Sequence, residues 1–136
     1  MGNVPQSGWT RVLTRTGRYE YQFQGRIPTV RNGKYLEATD YQFLVLDEQG
    51  WLYKIPVRLE ADAEQEVIQK ATTAVSDAPG QGGAVGMNDP MRIAEAQLRA
   101  GLEEYRPRPS APYAELDSYF AVDRARAQEL QRLLKP

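Results

Sequence analysis

The chain has neither histidine nor cysteine among its 136 residues. Histidine is the side chain best suited to proton transfer near neutral pH, and the cysteine thiolate is both a nucleophile and a soft metal ligand. Their absence excludes Ser-His-Asp and Cys-His catalysis, finger-type zinc sites, disulfides and thiol redox chemistry. Only carboxylate, lysine or tyrosine chemistry remains. We therefore predict a protein that is not an enzyme and that uses no cofactor or metal.

Long apolar runs and a strong net charge are also lacking. No stretch approaches the roughly 20 apolar residues that span a bilayer. Residues 1–8 have neither the basic nor the apolar region of a signal peptide. The formal net charge is -1, so bulk electrostatics favour neither nucleic acid nor a membrane surface. These features predict a single domain over residues 1–136, located in the cytoplasm and without a membrane partner.

Charge and aromatic residues are unevenly placed along the chain. Residues 1–36 carry six basic residues and one acidic residue, whereas the remainder carries 11 basic and 17 acidic residues. Nine of the 13 aromatic residues lie at or before Tyr53, and none lies between Lys54 and Glu104. Aromatic and β-branched residues suit a pleated, half-buried surface. The first half of the chain is therefore expected to form a sheet.

Three turn signals divide this first half into four strands. Thr16-Gly17, Asn32-Gly33 and Glu48-Gln49-Gly50 each lie between runs of aromatic and β-branched residues. Such spacing is typical of consecutive hairpins. We predict a four-stranded antiparallel meander over residues 9–59, and the pattern fits both an open sheet and a strongly curved half-barrel.

The third hairpin has a sharply defined register. A three-residue loop with Gly50 in the left-handed region pairs Val45 with Tyr53. It also places Phe43 opposite Ile55 on the same apolar face. A loop one residue longer would scramble the two faces, so the three-residue loop is preferred.

The first two hairpins are also assigned a register. The expected pairs are Val12 with Tyr21, Thr14 with Tyr19, Val30 with Tyr35, and Tyr41 with Val57 in the neighbouring hairpin. A bulge is needed to bring Phe23 opposite Phe43 or Tyr41. Gly25 is the expected position of that bulge, because glycine tolerates the required bend.

The second half of the chain changes to a helical period. Residues 62–105 form a helical segment that contains a Gly-rich loop over residues 76–88. Its first helix is predicted over 63–75, with Asp62 as cap, and its second begins at Asp89-Pro90. A Pro-rich connector over 106–112 and a C-terminal helical segment over 113–135 follow. The predicted fold class is α+β, with two or three helices on one face of the sheet.

Basic residues of the predicted sheet are the candidate ligand-binding residues. They are Arg11, Arg15, Arg18, Arg31 and Lys34. A cationic surface with interleaved aromatic residues is typical of proteins that bind single-stranded nucleic acid. Here Tyr19, Tyr21 and Phe23 fall on the opposite face from the arginines, and the helices are acidic. We therefore favour a non-enzymatic protein-interaction or assembly module, with single-stranded nucleic-acid binding as the alternative and a carboxylate-based hydrolase as a more distant one.

The C-terminal segment carries the residues predicted to mediate self-association. They are Tyr113, Leu116, Phe120, Leu130 and Leu134. The stiff connector before them is expected to carry these apolar side chains past their own domain. A two-fold dimer is the commonest closed assembly. We therefore predict a homodimer in which residues 113–134 contribute to the contact, or an equivalent contact with another protein.

Overall fold

A computed structural model describes residues 8–31, 33–76 and 85–134. Nine elements follow one another in this part of the chain. They are β1 (Thr10–Thr14), β2 (Gly17–Arg31), β3 (Lys34–Asp47), β4 (Leu52–Glu60), α1 (Ala61–Ser76), α2 (Val85–Glu104), α3 (Tyr113–Asp117), β5 (Ala121–Val122) and α4 (Arg124–Leu134). Together they form a curled five-stranded sheet and four helices, which confirms the α+β fold class.

The sheet follows the order of the chain. Strands β1 to β4 form the predicted antiparallel meander. The short strand β5 then adds to the edge of β4 in parallel orientation, pairing Arg58 with Ala121 and Leu59 with Val122. The sequence indicates a helical segment that is interrupted around residues 118–123. Strand β5 lies in that interruption and was not predicted, because two residues are too few to show a strand pattern.

The third hairpin has the predicted register. Val45 pairs with Tyr53, and the pairs of Phe43 with Ile55 and Tyr41 with Val57 are also confirmed. The Gly50 φ angle of 91° lies in the left-handed region that the three-residue loop requires. The Asp47 carboxylate fixes the loop, since its Oδ1 accepts hydrogen bonds from the backbone N–H groups of Gln49 and Trp51, each at 2.9 Å.

The predicted register of the first hairpin is wrong by two residues. Val12 pairs with Tyr19 rather than Tyr21, and Thr14 pairs with Gly17 rather than Tyr19. The side chain of Thr14 closes the turn earlier than expected, because its Oγ1 donates to the Gly17 carbonyl oxygen at 2.9 Å. A shift of two residues keeps every side chain on its predicted face.

The second hairpin confirms the predicted bulge. Its register shifts between Phe23 and Gly25, Phe23 lies opposite Phe43, and Val30 pairs with Tyr35. A second irregularity between Pro28 and Val30 was not predicted. The turn residue Asn32 lies outside the described residues.

One face of the sheet, called here the inner face, packs against the helices. Its buried side chains are Tyr19, Tyr21, Tyr41, Phe43, Val45, Ile55, Val57 and Leu59. They join Leu98 and Leu102 of α2 and Leu130 of α4 in one core. Burying a large apolar side chain contributes about 1.5–3 kcal/mol, so this face supplies much of the stability. The opposite face is called the outer face.

The helix boundaries differ from the prediction in two places. Helix α1 begins at Ala61, so Asp62 lies in its first turn and is not the cap. Helix α2 begins at Val85, and Pro90 therefore lies inside it rather than at its start. A proline near the start of a helix removes only one intrahelical hydrogen bond, which the remaining turns tolerate. Of the predicted loop over 76–88, residues 77–84 lie outside the described part.

None of the helices in the described ranges combines the length and the apolar character that crossing a bilayer requires.

Candidate functional site

The five basic candidate residues lie at two separate ends of the sheet. Arg11, Arg15 and Arg18 surround the β1–β2 turn, whereas Arg31 and Lys34 flank the turn between β2 and β3. Arg18 and Arg31 stand near opposite ends of β2, a 15-residue strand. That length of extended strand corresponds to on the order of 40 Å. The structure therefore does not unite the five residues in one cationic surface.

Arg31 is buried, contrary to its predicted role as an exposed ligand contact. Only 7% of its surface is accessible. Its Nη2 donates to Asp40 Oδ1 at 3.1 Å, its Nη1 pairs with the Asp117 carboxylate, and its guanidinium lies 4.3 Å from the ring centroid of Tyr113. The prediction is wrong for Arg31, because helix α3 returns from far along the chain to cover this end of the sheet.

Arg31 belongs to a buried ion network, called here the Arg31 network. Its members are Thr29, Arg31, Asp40, Arg58 and Asp117. The two arginines and two aspartates balance in charge. Arg58 Nη1 lies 3.6 Å from Asp117 Oδ2, and Thr29 donates to Asp40 at 3.0 Å. The network fastens α3 to strands β2, β3 and β4.

A cleft of about 390 Å³ lies at the opposite end of the sheet, where β1, β2 and β3 meet. Its outer-face lining consists of Arg11, Leu13, Arg18, Glu20, Leu46 and Glu48. The strand register produces this set, since Arg11 is opposite Glu20 and Leu13 is opposite Arg18. Two of the predicted ligand-binding residues, Arg11 and Arg18, therefore lie in one cleft.

Exposed leucines extend the cleft across the outer face. Leu46 pairs with Leu52 across β3 and β4, so the two side chains are neighbours on this face. Leu13 and Leu52 are 70% and 56% exposed. We call this surface the outer-face patch and define it as Leu13, Leu46 and Leu52 with Arg11, Arg18, Glu20 and Glu48.

The charges of the outer-face patch are balanced. Arg11 Nε lies 3.6 Å from Glu20 Oε2. Arg18 has no carboxylate within ion-pair distance in the described part of the chain. Arg15 is not part of the outer-face patch. Its Nε lies 3.6 Å from the Glu103 carboxylate of α2, and its backbone N–H donates to the same carboxylate. The patch therefore presents two arginines and two glutamates, and Arg18 and Glu20 of β2 lie between Leu13 of β1 and the pair of Leu46 with Leu52.

Helix α1 places a buried carboxylate, Glu64, against the inner face of the sheet, where it is held ionised. Burial opposes the charged form of Glu64, but hydrogen bonds from Arg26, Tyr41 and Thr39 outweigh it and lower the pKa of this carboxyl. The Arg26 guanidinium donates twice, at 2.9 and 3.0 Å. Burial, and then the bond to Glu64, raise the pKa of the Tyr41 hydroxyl.

A second carboxylate with a perturbed pKa lies beside the connector. The Arg108 guanidinium, followed by the Tyr105 hydroxyl, lowers the pKa of Glu115 to about 2. Burial and the bond to Glu115 raise the pKa of Tyr105 to about 12. General acids need a raised carboxyl pKa, so neither Glu64 nor Glu115 is poised for that role. In the described ranges no group of three or more acidic residues is arranged to hold a metal ion.

Sequence reasoning missed Glu64, although a signal was present. Glu64 lies three residues before Val67 and four before Ile68, so it shares the apolar stripe of α1. A glutamate on such a stripe indicates a buried carboxylate that needs partners. The local sequence around Asp117 does not indicate its ion pairs, because its partners Arg31 and Arg58 are remote in sequence.

The residues predicted to mediate self-association pack mostly inside their own chain. Leu116, Phe120 and Leu130 are buried in the core. Tyr113 and Leu134 remain exposed, and the Tyr113 ring rests on Arg31. Three of the five predicted side chains therefore cover the segment's own domain, whereas Tyr113 and Leu134, with the neighbouring Leu133, remain accessible.

No family model matches the chain, and neither a curated protein nor a solved structure is significantly similar to it.

Proposed function

We propose that the chain is a non-enzymatic assembly module that associates with a second copy of itself through the outer-face patch. The observation that carries the proposal is the exposure of Leu13 and of Leu52, which is paired with Leu46, on one surface of the sheet. Exposed apolar patches rimmed by polar residues mark interaction surfaces.

The balanced charges of the patch support a second copy as the partner. A two-fold axis brings the same surface of both copies together, so the surface must be complementary to itself. Arg11 and Arg18 of one copy are then available to Glu20 and Glu48 of the other. Arg18, which lacks a carboxylate partner within the described chain, gains one in such a contact. A patch of one charge sign would repel its copy.

Single-stranded nucleic-acid binding, the alternative, has less support. It needs a cationic stripe beside exposed aromatic rings. Arg31 is buried in the Arg31 network, and Tyr19 and Tyr21 are buried in the core. Glutamates accompany both arginines in the cleft. No single observation favours this alternative over self-association.

Sedimentation equilibrium of the full chain tests the proposal. We expect a dimer, and we expect Leu13→Glu to raise its dissociation constant by at least about tenfold, because the variant buries a charge at the contact. Leu133→Glu is the matched control, since Leu133 is 71% exposed on α4, away from the patch. It should leave the dissociation constant unchanged.

Two results would count against this assignment. A wild-type chain that sediments as a monomer at every concentration contradicts it, and so does a dimer that responds equally to both variants. A labelled single-stranded oligonucleotide, titrated at low and at high salt, checks the alternative in the same samples. Salt-sensitive binding that Arg11→Glu abolishes would favour nucleic acid instead.

A further inference from the structure

Strand β4 is covered along only part of its outer edge. Strand β5 pairs with Arg58 and Leu59, and the Arg58 N–H donates to the Phe120 carbonyl oxygen at 2.9 Å. On the other side of the strand, the Trp51 carbonyl accepts from the Asp47 N–H of β3 at 3.0 Å. Backbone groups alternate in direction along a strand. Even-numbered residues of β4 therefore point their backbone groups to the β5 edge.

Leu52 and Lys54 consequently direct an N–H and a C=O group to an edge that β5 does not reach. Within the described ranges, no other segment donates to or accepts from these groups. Both residues are exposed. Pro56 is also an even-numbered residue of β4, so its backbone faces the same edge. Its missing N–H is tolerated only because that position faces the edge. An edge with free backbone groups is a template for an added strand.

A groove of about 280 Å³ runs beside this free edge. Leu52 and Ile55 line one side, and Pro107, Ala111 and Leu116 line the other. The connector that forms the far wall cannot complete the ladder where it lacks N–H donors, at its prolines. We call this feature the edge groove.

The far wall of the edge groove is held in place. Both Tyr105 and Arg108 donate to the Glu115 carboxylate, which ties the connector to α3. Ser110, also in the wall, has a φ angle of 59°, a left-handed conformation that non-glycine residues seldom adopt. Residues held in such conformations concentrate at ligand clamps and functional sites. Because this wall is already fixed, binding a ligand there costs less conformational entropy.

We propose that the edge groove accepts an extended segment of another protein, which adds to β4 as a strand and alternates apolar with acidic residues. Such a segment continues the row that β5 begins on the same edge. Successive side chains of an added strand point to opposite faces. One set enters the groove against Ile55 and Leu116, while the other lies beside Lys54 on the outer face.

Lys54 determines the preference for acidic residues. It is exposed, and in the described chain no carboxylate lies within ion-pair distance of it. An opposite charge across a strand pair is favourable, whereas a like charge is unfavourable. The same argument disfavours a second copy as the occupant, because two-fold pairing of the β4 edges sets Lys54 near its own equivalent. This proposal does not depend on self-association through the outer-face patch.

Fluorescence anisotropy with synthetic peptides tests the proposal on the full chain. The probe is an acetylated, fluorescein-labelled peptide of alternating valine and glutamate, and the comparison peptide has lysine in place of glutamate. We expect the glutamate peptide to bind more tightly. Lys54→Thr keeps the backbone N–H and removes the charge, so it should weaken glutamate-peptide binding by about two- to fivefold, as for an exposed ion pair.

Lys54→Pro removes the edge N–H and should weaken binding of either peptide by at least about tenfold. Its N–H takes no part in pairing with β3, and Pro56 already occupies an equivalent position. A probe that is N-methylated on every second residue examines the same backbone contact without altering the protein. Methylating the set that faces β4 should abolish binding, and methylating the other set should not.

Absence of glutamate-peptide binding to the wild-type chain would overturn the proposal. Unchanged affinity in Lys54→Pro together with insensitivity to both methylation patterns would overturn it as well. Leu13→Glu separates this site from the outer-face patch, since it should disrupt self-association and leave peptide affinity unchanged. Loss of both in Leu13→Glu would contradict the separation and place the peptide on the outer face.

Discussion

The two ends of β2 carry arginines in opposite environments. Arg18 lies in an open cleft and has no ion-pair partner within the described chain, whereas Arg31 is buried among two aspartates and a tyrosine ring. Both residues border a hairpin turn, and both lie in a strand rich in aromatic and polar residues. Their local sequences do not explain the difference.

The difference arises from the C-terminal part of the chain. Helix α3 and strand β5 return to the Arg31 end and supply Asp117, whereas no described element covers the outer face beside Arg18. The exposure of a charged residue on a strand is thus set by what a remote segment places over it. The C-terminal segment covers one end of the sheet, and the other end is left open on its outer face.

Replacing Arg31 and Arg18 in turn should reveal the largest difference in stability between the two ends of the sheet. Arg31→Met leaves Asp40 and Asp117 without their shared partner, so we expect the free energy of unfolding to fall by about 3–5 kcal/mol. Arg18→Met removes an exposed side chain and should change it by no more than about 0.5 kcal/mol. Urea unfolding followed by tryptophan fluorescence measures both. Equal losses would mean that the two ends do not differ energetically.

A substitution that overpacks the contact between α2 and the segment before β5 should have a smaller effect on stability. A Cβ at Gly101 would overlap Phe120 Cε1 and lie 2.8 Å from the Tyr119 carbonyl oxygen. Gly101→Ala therefore forces the segment before β5 to move, and we expect a loss of about 1–3 kcal/mol despite the better helix propensity of alanine. Gly25→Ala is the control, because a Cβ there meets nothing within 4 Å. Thermal melts that show equal losses would contradict this packing.

The smallest expected effect concerns Glu64, the buried carboxylate of α1 that packs against the inner face. Glu64→Gln weakens hydrogen bonds from Arg26, Tyr41 and Thr39, and we expect a loss of about 1–2 kcal/mol at neutral pH. The pKa of Glu64 is lowered from 4.5 in the folded chain, so the unfolded chain takes up the proton first. Wild-type stability should therefore decline as the pH falls below about 4.5. The variant should show a shallower decline in urea midpoints over that range, and an identical slope would be inconsistent with this role.

The sequence was most informative where local pattern and turn chemistry agree. In the third hairpin, loop length, Gly50 and the apolar alternation all specify the pairing of Val45 with Tyr53, and the structure confirms it. In the first hairpin the alternation fixed the faces, but the Thr14 side chain selected a different turn. Alternation alone cannot distinguish registers that differ by two residues.

Interactions between remote segments could not be predicted. Strand β5 has two residues, too few to show a period, and it exists because the edge of β4 is available. Part of the candidate site follows from local pairing, which the sequence does predict. The first hairpin makes Arg11 and Arg18 neighbours. Leu46 and Leu52 join them through the third hairpin. Arg31 was misassigned because Asp117 lies far along the chain.

The parallel pairing of Arg58 with Ala121 also determines the order in which the sheet is completed during synthesis. The ribosome makes the N-terminal part of a chain first, and the meander needs only neighbouring strands to form. The entire outer edge of β4 thus stays open while α1, α2 and the connector are still being made. Nascent chains on one messenger RNA therefore share an aggregation hazard at this edge. Pro56 and the charge of Lys54 limit pairing between identical chains there, and β5 later covers only the part of the edge at Arg58 and Leu59.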